Sequence, residues 1–220
     1  MTNIAINQTC GDGNSAEPVT VTVSCTCTPG TPGPATDRLA EAALHGFAAA
    51  TVLPQYCDRA VKHTGPLVIG ATAILPAGAS IAAVGVAVAA PGDGETGTDS
   101  RVAVYIGGIA EKAGQSLHKA TLYTAAGWRW ANLEQPVTAA DDDRIVWLVA
   151  QVPNFTGTPP SILAAGQPGE PGMLNGLRYR SVIVNGLEEL PLIFDGDAIP
   201  FSGRLEVPAL AASSVPVSQP

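Results

Sequence analysis

The chain has 220 residues and a net charge of −8, and no stretch gathers Lys and Arg into a basic stripe. Nucleic acid is therefore not an expected partner. No membrane insertion is expected either, because the longest apolar candidate, residues 81–90, has the length of a strand and is interrupted by glycine. The first ten residues lack the basic and apolar regions of a secretory signal, so we expect a protein made in a cytoplasm.

Turn-forming residues are frequent, with 24 Gly and 19 Pro, which is above ordinary usage. Hydrophobic residues make up 46% of the chain but aromatic residues only 5%, so a core must be built mainly from Ala, Val, Leu and Ile. Because strand-sized apolar runs recur through the middle of the chain, this composition predicts many short strands rather than disorder.

Residues 1–28 have the pattern of a β-hairpin, with two alternating runs joined by the turn-rich sequence GDGNSAEP. In the second run the apolar residues and two cysteines face one way and hydroxyl residues face the other. An isolated two-stranded ribbon is marginal in water, so we predict that this ribbon is an anchoring segment docked on a partner. Its anchoring residues are Ile4, Ile6, Val19, Val21 and Val23.

All four cysteines, Cys10, Cys25, Cys27 and Cys57, lie in the first 57 residues. A Cys-x-Cys pair without a second pair does not have the spacing of a zinc site, so no metal is expected. Free thiols are the main interpretation for a protein made in a cytoplasm. A disulfide from Cys10 to Cys25 or Cys27 across the hairpin is the alternative.

Residues 29–62 are predicted to hold a linker and one short helix. The linker, residues 29–36, reads PGTPGPAT, which is typical of a stiff extended spacer. Residues 37–50 have helical periodicity, with Leu39, Ala43 and Phe47 on one stripe. A helix of this length is marginal alone, so we predict that the stripe packs against other copies of the chain.

Residues 63–210 are predicted to form an antiparallel β-sandwich, because strand-sized runs follow one another with no room for helices. In residues 101–106, Val102, Val104 and Ile106 share one face and the other three residues share the opposite face. The fold class is therefore all-β. Residues 211–220 are predicted to be a polar C-terminal tail.

No catalytic motif of a hydrolase, metalloprotease or nucleotide-binding enzyme occurs in the chain. His45, His63 and His118 lie in three separate segments without the spacing of a site. The acidic loop at residues 93–99 lacks the ligand order of a calcium loop and is predicted to be solvated, as is the acidic tip at residues 141–143. We expect no catalytic residues, no cofactor and no enzymatic activity.

Two tryptophans on one predicted strand face suggest a sugar-binding platform. Trp128 and Trp130 follow a Gly turn and project the same way, and aromatic rings of this kind bind glycans in lectin-like sandwiches. The alternative is that at least one of them is core, since a sandwich needs large residues inside. Trp147, in the middle of an apolar run, is predicted to be core.

The succession of Tyr105, Gly127-Trp128-Arg129, Pro136-Val137 and residues 146–149 resembles a jelly-roll-like domain found in virion proteins of tailed actinobacteriophages. The similarity spans about residues 65–208, and departs from the family pattern at Trp147 and at residues 141–143. The resemblance implies a jelly-roll-like sandwich in a capsid decoration, head-fibre or minor tail protein. It transfers no functional residues.

A ribbon, spacer and helix ahead of a sandwich is the plan of an anchored projection. The resemblance thus implies assembly in the host cytoplasm, a final location in the virion, and major capsid or tail proteins as partners. Proteins of this plan are often homotrimers, which would cover the apolar ribbon and helix stripe. The alternative function is a receptor-binding module for a host-surface glycan.

Overall fold

The computed structural model describes residues 42–97, 99–106, 110–166, 173–174, 177–178, 181–187, 189–194 and 206–218. All of them belong to one unit, Pro32–Pro220. The predictions for the ribbon, the linker and the start of the helix lie outside the described residues. The named residues concerned are Ile4, Ile6, Cys10, Val19, Val21, Val23, Cys25, Cys27 and Leu39.

The described elements are almost entirely strands, and every described pairing is antiparallel. This confirms the predicted all-β antiparallel fold. One 3₁₀ turn occupies Pro54–Tyr56. The strands in chain order are β1 (Ala49–Ala50), β2 (Arg59–Lys62), β3 (Leu67–Leu75), β4 (Ser80–Ala90), β5 (Glu95–Thr96), β6 (Arg101–Ile106), β7 (Ala110–Gln115), β8 (Gly127–Thr138), β9 (Arg144–Val152), β10 (Asn154–Phe155), β11 (Ser161–Gly166), β12 (Met173–Leu174), β13 (Leu177–Arg178), β14 (Ser181–Asn185), β15 (Ile193–Phe194), β16 (Glu206–Pro208) and β17 (Leu210–Ser213).

Two sheets form the sandwich. In the front sheet, β4 is flanked by β8 on one side and by β17 and β11 on the other; β1 pairs with β17, and β2 and β16 pair with β11. The back sheet has the order β14-β3-β9-β6-β7-β15. Most successive long strands alternate between the two sheets, a feature shared with jelly rolls.

The core between the sheets follows from strict alternation along the strands. β3 and β9 stay in register over nine pairs, from Leu67–Val152 to Leu75–Arg144, so inward residues of both strands meet. In β6, Val102 and Val104 lie in this core while Ala103 and Tyr105 face outward, as predicted. Ala103 and Tyr105 are nevertheless fully buried, which means that a further layer covers the back sheet.

That layer is a strap formed by residues 186–187 and 189–192, between β14 and β15. These two strands lie at opposite edges of a six-stranded sheet, about 24 Å apart at a strand spacing of about 4.8 Å. Leu187 and Leu190 pack in the outer cluster that contains Trp147, which is buried as predicted but outside the main core.

Hydrogen bonds fix the strap to the sheet beneath it. The Tyr105 hydroxyl donates to Pro191 O at 2.8 Å. Lys112 Nζ donates to Leu190 O at 3.1 Å, and Lys112 N donates to Leu192 O at 2.9 Å. Three carbonyl groups of the strap therefore accept hydrogen bonds from the sheet that it crosses, two from side chains and one from a backbone N–H.

The predicted helix at residues 37–50 ends earlier than expected. Residues 42–44 are helical, and Gly46, with φ 75°, terminates the turn. Gly46 N donates to Ala43 O and Phe47 N to Ala42 O, both at 2.9 Å, which is the Schellman pattern. Ala43 is exposed and Phe47 lies beyond the helix end, so the expected common packing stripe of Ala43 and Phe47 does not form.

The sandwich extends beyond residues 63–210 at both ends. β1 and β2 belong to the front sheet, and β17 continues to Ser213. Ala211 and Ala212, assigned by sequence to the tail, are fully buried. No described helix has the length and hydrophobicity needed to cross a membrane.

Candidate functional site

An aromatic cluster occupies the outer face of the front sheet. It consists of Trp128 and Trp130 on β8 and Phe47 from the segment before β1. The ring centroid of Phe47 lies 5.3 Å from that of Trp128 and 5.8 Å from that of Trp130. The centroids of the two indoles are 5.8 Å apart. His45 stacks on Phe47 at 6.2 Å. These separations are typical of favourable aromatic contacts.

Small residues in the neighbouring strands make room for the cluster. Gly85 on β4 pairs with Trp130, and a Cβ at Gly85 would lie 2.8 Å from the indole ring atoms. The indole therefore lies flat across β4, where a side chain would clash. Ala211 on β17 packs on the same cluster. Its small side chain therefore also leaves room for the aromatic rings.

The cluster changes the geometry of the expected sugar platform. Trp130 is buried, with 8% of its surface exposed, whereas Trp128 is half-buried. Phe47 packs on both rings, and Val217 packs against them from the chain end, where its N–H donates to Asn132 Oδ1 at 2.9 Å. A stacking surface for a sugar would thus consist of the accessible part of Trp128 with Phe47 and His45 beside it.

A second candidate site is polar and lies at one end of the sandwich, between the loops at residues 91–100 and 116–126. Glu95 Oε1 accepts a hydrogen bond from Ser100 Oγ at 2.5 Å. Lys119 N donates to Ser100 O at 2.8 Å, and the buried Tyr123 hydroxyl donates to Gln151 O at 2.7 Å. Leu122 and Tyr123 are fully buried, so the second loop closes this end of the core.

Glu95 differs from the solvated residue that the sequence predicts. It is half-buried, and burial raises the pKa of its carboxyl, while the Ser100 hydrogen bond and His118 act in the opposite direction. Glu95 Oε2 and His118 Nδ1 are both buried without a hydrogen-bond partner. Ser, His and Glu together resemble a hydrolytic triad in type, but Ser100 is fully buried and bonded to the carboxylate, so its oxygen is not presented to a substrate.

A third candidate site is a small polar pocket. It lies where β2, β11 and β16 of the front sheet meet β3 and β14 of the back sheet. Its lining includes His63, Ile69, Ile183 and Glu206. His63 is buried, and this burial lowers the pKa of its imidazole to about 4. Glu206 Oε1 lies 3.7 Å from Arg59 Nη1, so the pocket combines a neutral imidazole with a paired carboxylate.

The Asp58–Arg59 pair ties β2 to β11. Arg59 donates two hydrogen bonds of 3.0 Å to Asp58, and Gly166 N donates to Asp58 Oδ1 at 2.8 Å. The Arg59 bonds, followed by the Gly166 bond, lower the pKa of Asp58 to about 2. The guanidinium lies over Gly166, where a Cβ would clash with it. This arrangement is structural, because each group is engaged by another part of the chain.

Cys57 is a half-buried free cysteine. Burial first, and then the neighbouring Asp58 charge, raise the pKa of its thiol to about 11. A thiol that holds its proton at neutral pH is a poor nucleophile and a poor metal ligand. Within the described ranges, no three His, Cys, Asp or Glu side chains are grouped closely enough to hold a metal ion.

The sequence predicts two of the three rings in the aromatic cluster and neither of the polar sites. It predicts a helix face for Phe47, whereas a glycine turn brings this ring onto the tryptophans. His63 and Glu206 are 143 positions apart, and Glu95 and His118 are on separate loops. Only the tertiary fold brings the members of each pair together, so no local sequence motif predicts either site.

No family model matches this chain, and no curated protein matches it in sequence.

Proposed function

We propose that this protein is a non-enzymatic structural component of a bacteriophage virion, either a capsid decoration or head-fibre protein or a minor tail protein. In this proposal, residues 1–41 anchor the protein on the particle and the sandwich faces the solvent. The support is the resemblance of residues 65–208 to virion domains, together with the apolar face predicted for the ribbon at residues 1–28.

The observation that carries the proposal is the pairing of the first described strand with the last one. Ala49 and Ala50 of β1 pair with Ala212 and Ala211 of β17. Phe47 before β1 and Val217 after β17 also join the same aromatic cluster. The segment before β1 and the segment after β17 therefore both lie on the outer face of the front sheet. This arrangement suits a domain that is tethered to a particle from one side.

Exposed apolar side chains flank these connections. Leu44 is 86% exposed and Val215 is 62% exposed. Isolated exposed apolar side chains need no explanation. Here, however, Leu44 is three residues before Phe47 and Val215 is two residues before Val217. Phe47 and Val217 both pack on the aromatic cluster. We assign this side to the particle-proximal end, where major capsid or tail proteins and the other copies of a homotrimer make contact.

A binding assay with particles tests the anchoring role. Deletion of residues 1–36 is expected to leave a folded sandwich, as judged by circular dichroism, that no longer co-sediments with particles. Val21→Asp, on the predicted apolar face, should weaken binding at least tenfold, since a buried unpaired charge is strongly unfavourable. Thr22→Asp, on the opposite face, is the matched control and should bind normally. Equal binding by all variants would refute the anchor.

Immunogold microscopy with antibody against residues 63–210 separates the two virion locations. Regular labelling over heads indicates decoration, and labelling confined to tail tips indicates a tail protein. Particles that carry no label at all would refute the proposal as a whole.

A second candidate, a receptor-binding module for a host-surface glycan, is favoured by the partly accessible Trp128 beside Phe47 and His45. Because Trp128→Ala removes the accessible indole of this stacking surface, it should reduce host-glycan binding at least fivefold, which corresponds to about 1 kcal/mol. Leu117→Ala, which changes an exposed residue on the loop at residues 116–126, is the control. Binding that survives Trp128→Ala would remove this candidate.

A further inference from the structure

The chain segment that follows β17, residues 214–218, runs from β17 to β8 beside the aromatic cluster. Ser213 pairs with Ala83, and Ala83 pairs with Asn132, so the end of β17 and Asn132 of β8 lie in one row across the front sheet. The outer two strands of this row are about 10 Å apart, which is twice the strand spacing. Val217 crosses this interval, because its N–H donates to Asn132 Oδ1 at 2.9 Å.

This segment, which we call the cover, is attached to β8 through Val217. Ser213 Oγ donates to Val215 O at 2.7 Å and accepts from Val215 N at 3.2 Å, so the chain turns as soon as it leaves β17. The residues on either side of Val217, 214–216 and 218, are exposed, whereas Val217 is half-buried against the aromatic cluster. Because the cover belongs to no strand, it can leave this position while every strand pairing is kept.

The face beside the cover combines aromatic rings with one amide side chain. Trp128, Trp130 and Asn132 alternate along a part of β8 that stays in register with β4, so all three side chains project on the outer side of the sheet. Asn132 is exposed, and the bond from Val217 is the only hydrogen bond of its side chain among the described residues. Aromatic groups with a few placed polar groups are the usual lining of a small-molecule site.

We propose that this face binds glycans that carry an acetamido group, and that Val217 takes the place of that group when no glycan is bound. The inference rests on the second candidate function and names its sugar class. Val217 presents a peptide N–H to Asn132 Oδ1 and an apolar side chain to the aromatic cluster. An N-acetylhexosamine presents the same pair, an amide N–H and a methyl group, on a ring whose C–H face packs on an indole. Asn132 Nδ2 then donates to a sugar hydroxyl.

Competition with the cover lowers the affinity of the site for a glycan. A ligand that binds only the uncovered protein has its affinity reduced by the fraction of molecules in which the cover is open. One net hydrogen bond and the partial burial of one side chain favour the covered state about fivefold. Weakening the Val217 contact should therefore tighten glycan binding, whereas removing the Asn132 amide should abolish the preference for an acetamido sugar.

Isothermal titration calorimetry of the full chain tests the site with two matched sugars. The first is chitotetraose, a linear tetramer of N-acetylglucosamine, and the second is cellotetraose, the glucose tetramer that lacks the acetamido groups. The wild type should bind chitotetraose about fivefold more tightly than cellotetraose, because one hydrogen bond is lost with the second sugar. Val217→Ala should bind chitotetraose about threefold more tightly than the wild type does. Asn132→Ala should bind both sugars equally, and Val215→Ala, which changes an exposed residue, is the control that should match the wild type.

Equal affinity of the wild type for the two tetramers would overturn the proposal, and so would unchanged or weaker chitotetraose binding by Val217→Ala. The cover is also measured without sugar, through NMR exchange of the Val217 amide, which should be about fivefold faster in Asn132→Ala. Equal exchange in the two proteins would show that the cover does not form.

Absence of chitotetraose binding in every variant would overturn the sugar assignment. Purified host-surface glycan then tests the second candidate function separately. Binding of this glycan that is lost in Trp128→Ala would keep that function without the acetamido site, and no binding at all would remove both.

Discussion

Replacing His63 should remove an acid sensitivity that is built into the sandwich. The folded protein holds this imidazole at a pKa of about 4, because burial disfavours the charged form. In the unfolded chain an imidazole titrates near its ordinary value of about 6.5. Because the folded-state pKa is the lower one, the stability linked to His63 is fully present above pH 6.5 and is lost as pH falls toward 4.

The size of this loss follows from the two values. A pKa lowered from 6.5 to about 4 corresponds to about 3 kcal/mol at low pH, and about 2 kcal/mol of it is already lost at pH 5. His63 is only 6% exposed, so solvent screening reduces this free-energy difference little. Glu206, the charged residue that lines the same pocket, is already engaged by Arg59, which limits its ability to stabilise an imidazolium.

Urea unfolding at pH 8, 7, 6 and 5 measures the effect for the wild type, His63→Gln and the exposed control His45→Gln. The free energy of unfolding of the wild type minus that of His63→Gln should fall by about 2 kcal/mol from pH 8 to pH 5. Other titrating groups cancel in this difference. A difference that stays constant within about 0.5 kcal/mol would refute the reasoning, since it would mean that the folded protein accepts the His63 proton at little cost.

Three substitutions and one control substitution test the packing described above. Leu190→Ala, in the strap over the back sheet, should destabilise the protein by about 2–4 kcal/mol in urea unfolding, whereas Leu192→Ala, 74% exposed, should change stability by less than about 0.5 kcal/mol. Gly85→Ala should cost about 1–3 kcal/mol and shift tryptophan fluorescence, because the added Cβ displaces the Trp130 indole; unchanged fluorescence would contradict the packing. Gly46→Ala should cost about 1 kcal/mol, measured by thermal unfolding, because its φ of 75° suits glycine; no loss would argue against the Schellman turn.

The parts of the fold that the sequence predicts are those governed by local alternation. Residues 101–106 divide between the two faces of β6 as expected, because a period of two is a property of the strand itself. The apolar run ending at Val152 is predicted by a different local signal, its strand length and β-branched residues, because β9 is buried on both faces and does not alternate. Trp128 and Trp130 share a face as predicted, yet their burial depends on Phe47 and on Gly85 of another strand, which alternation does not reveal.

The remaining features depend on tertiary contacts. The helical period at residues 37–50 continues through Ala48 and Ala50, but Gly46 and the pairing of β1 with β17 override that weak helical preference. The strap has no strand or helix pattern, because its carbonyl groups accept hydrogen bonds from two side chains and one N–H of β6 and β7 and not from a continuous neighbouring strand. Residues 211–213 contain only Ala and Ser, so nothing in their hydropathy distinguishes a buried strand from a tail.

The pairing of β1 with β17 also brings the first and last described strands of the sandwich side by side. The described segments before β1 and after β17 meet at the aromatic cluster, so a short linker could connect them there. A circular permutant opened at the β3–β4 turn, residues 76–79, would keep every strand pairing in both sheets and place the new chain ends at the end of β3 and the start of β4. The order in which the strands are synthesised is therefore separable from the sandwich that they form.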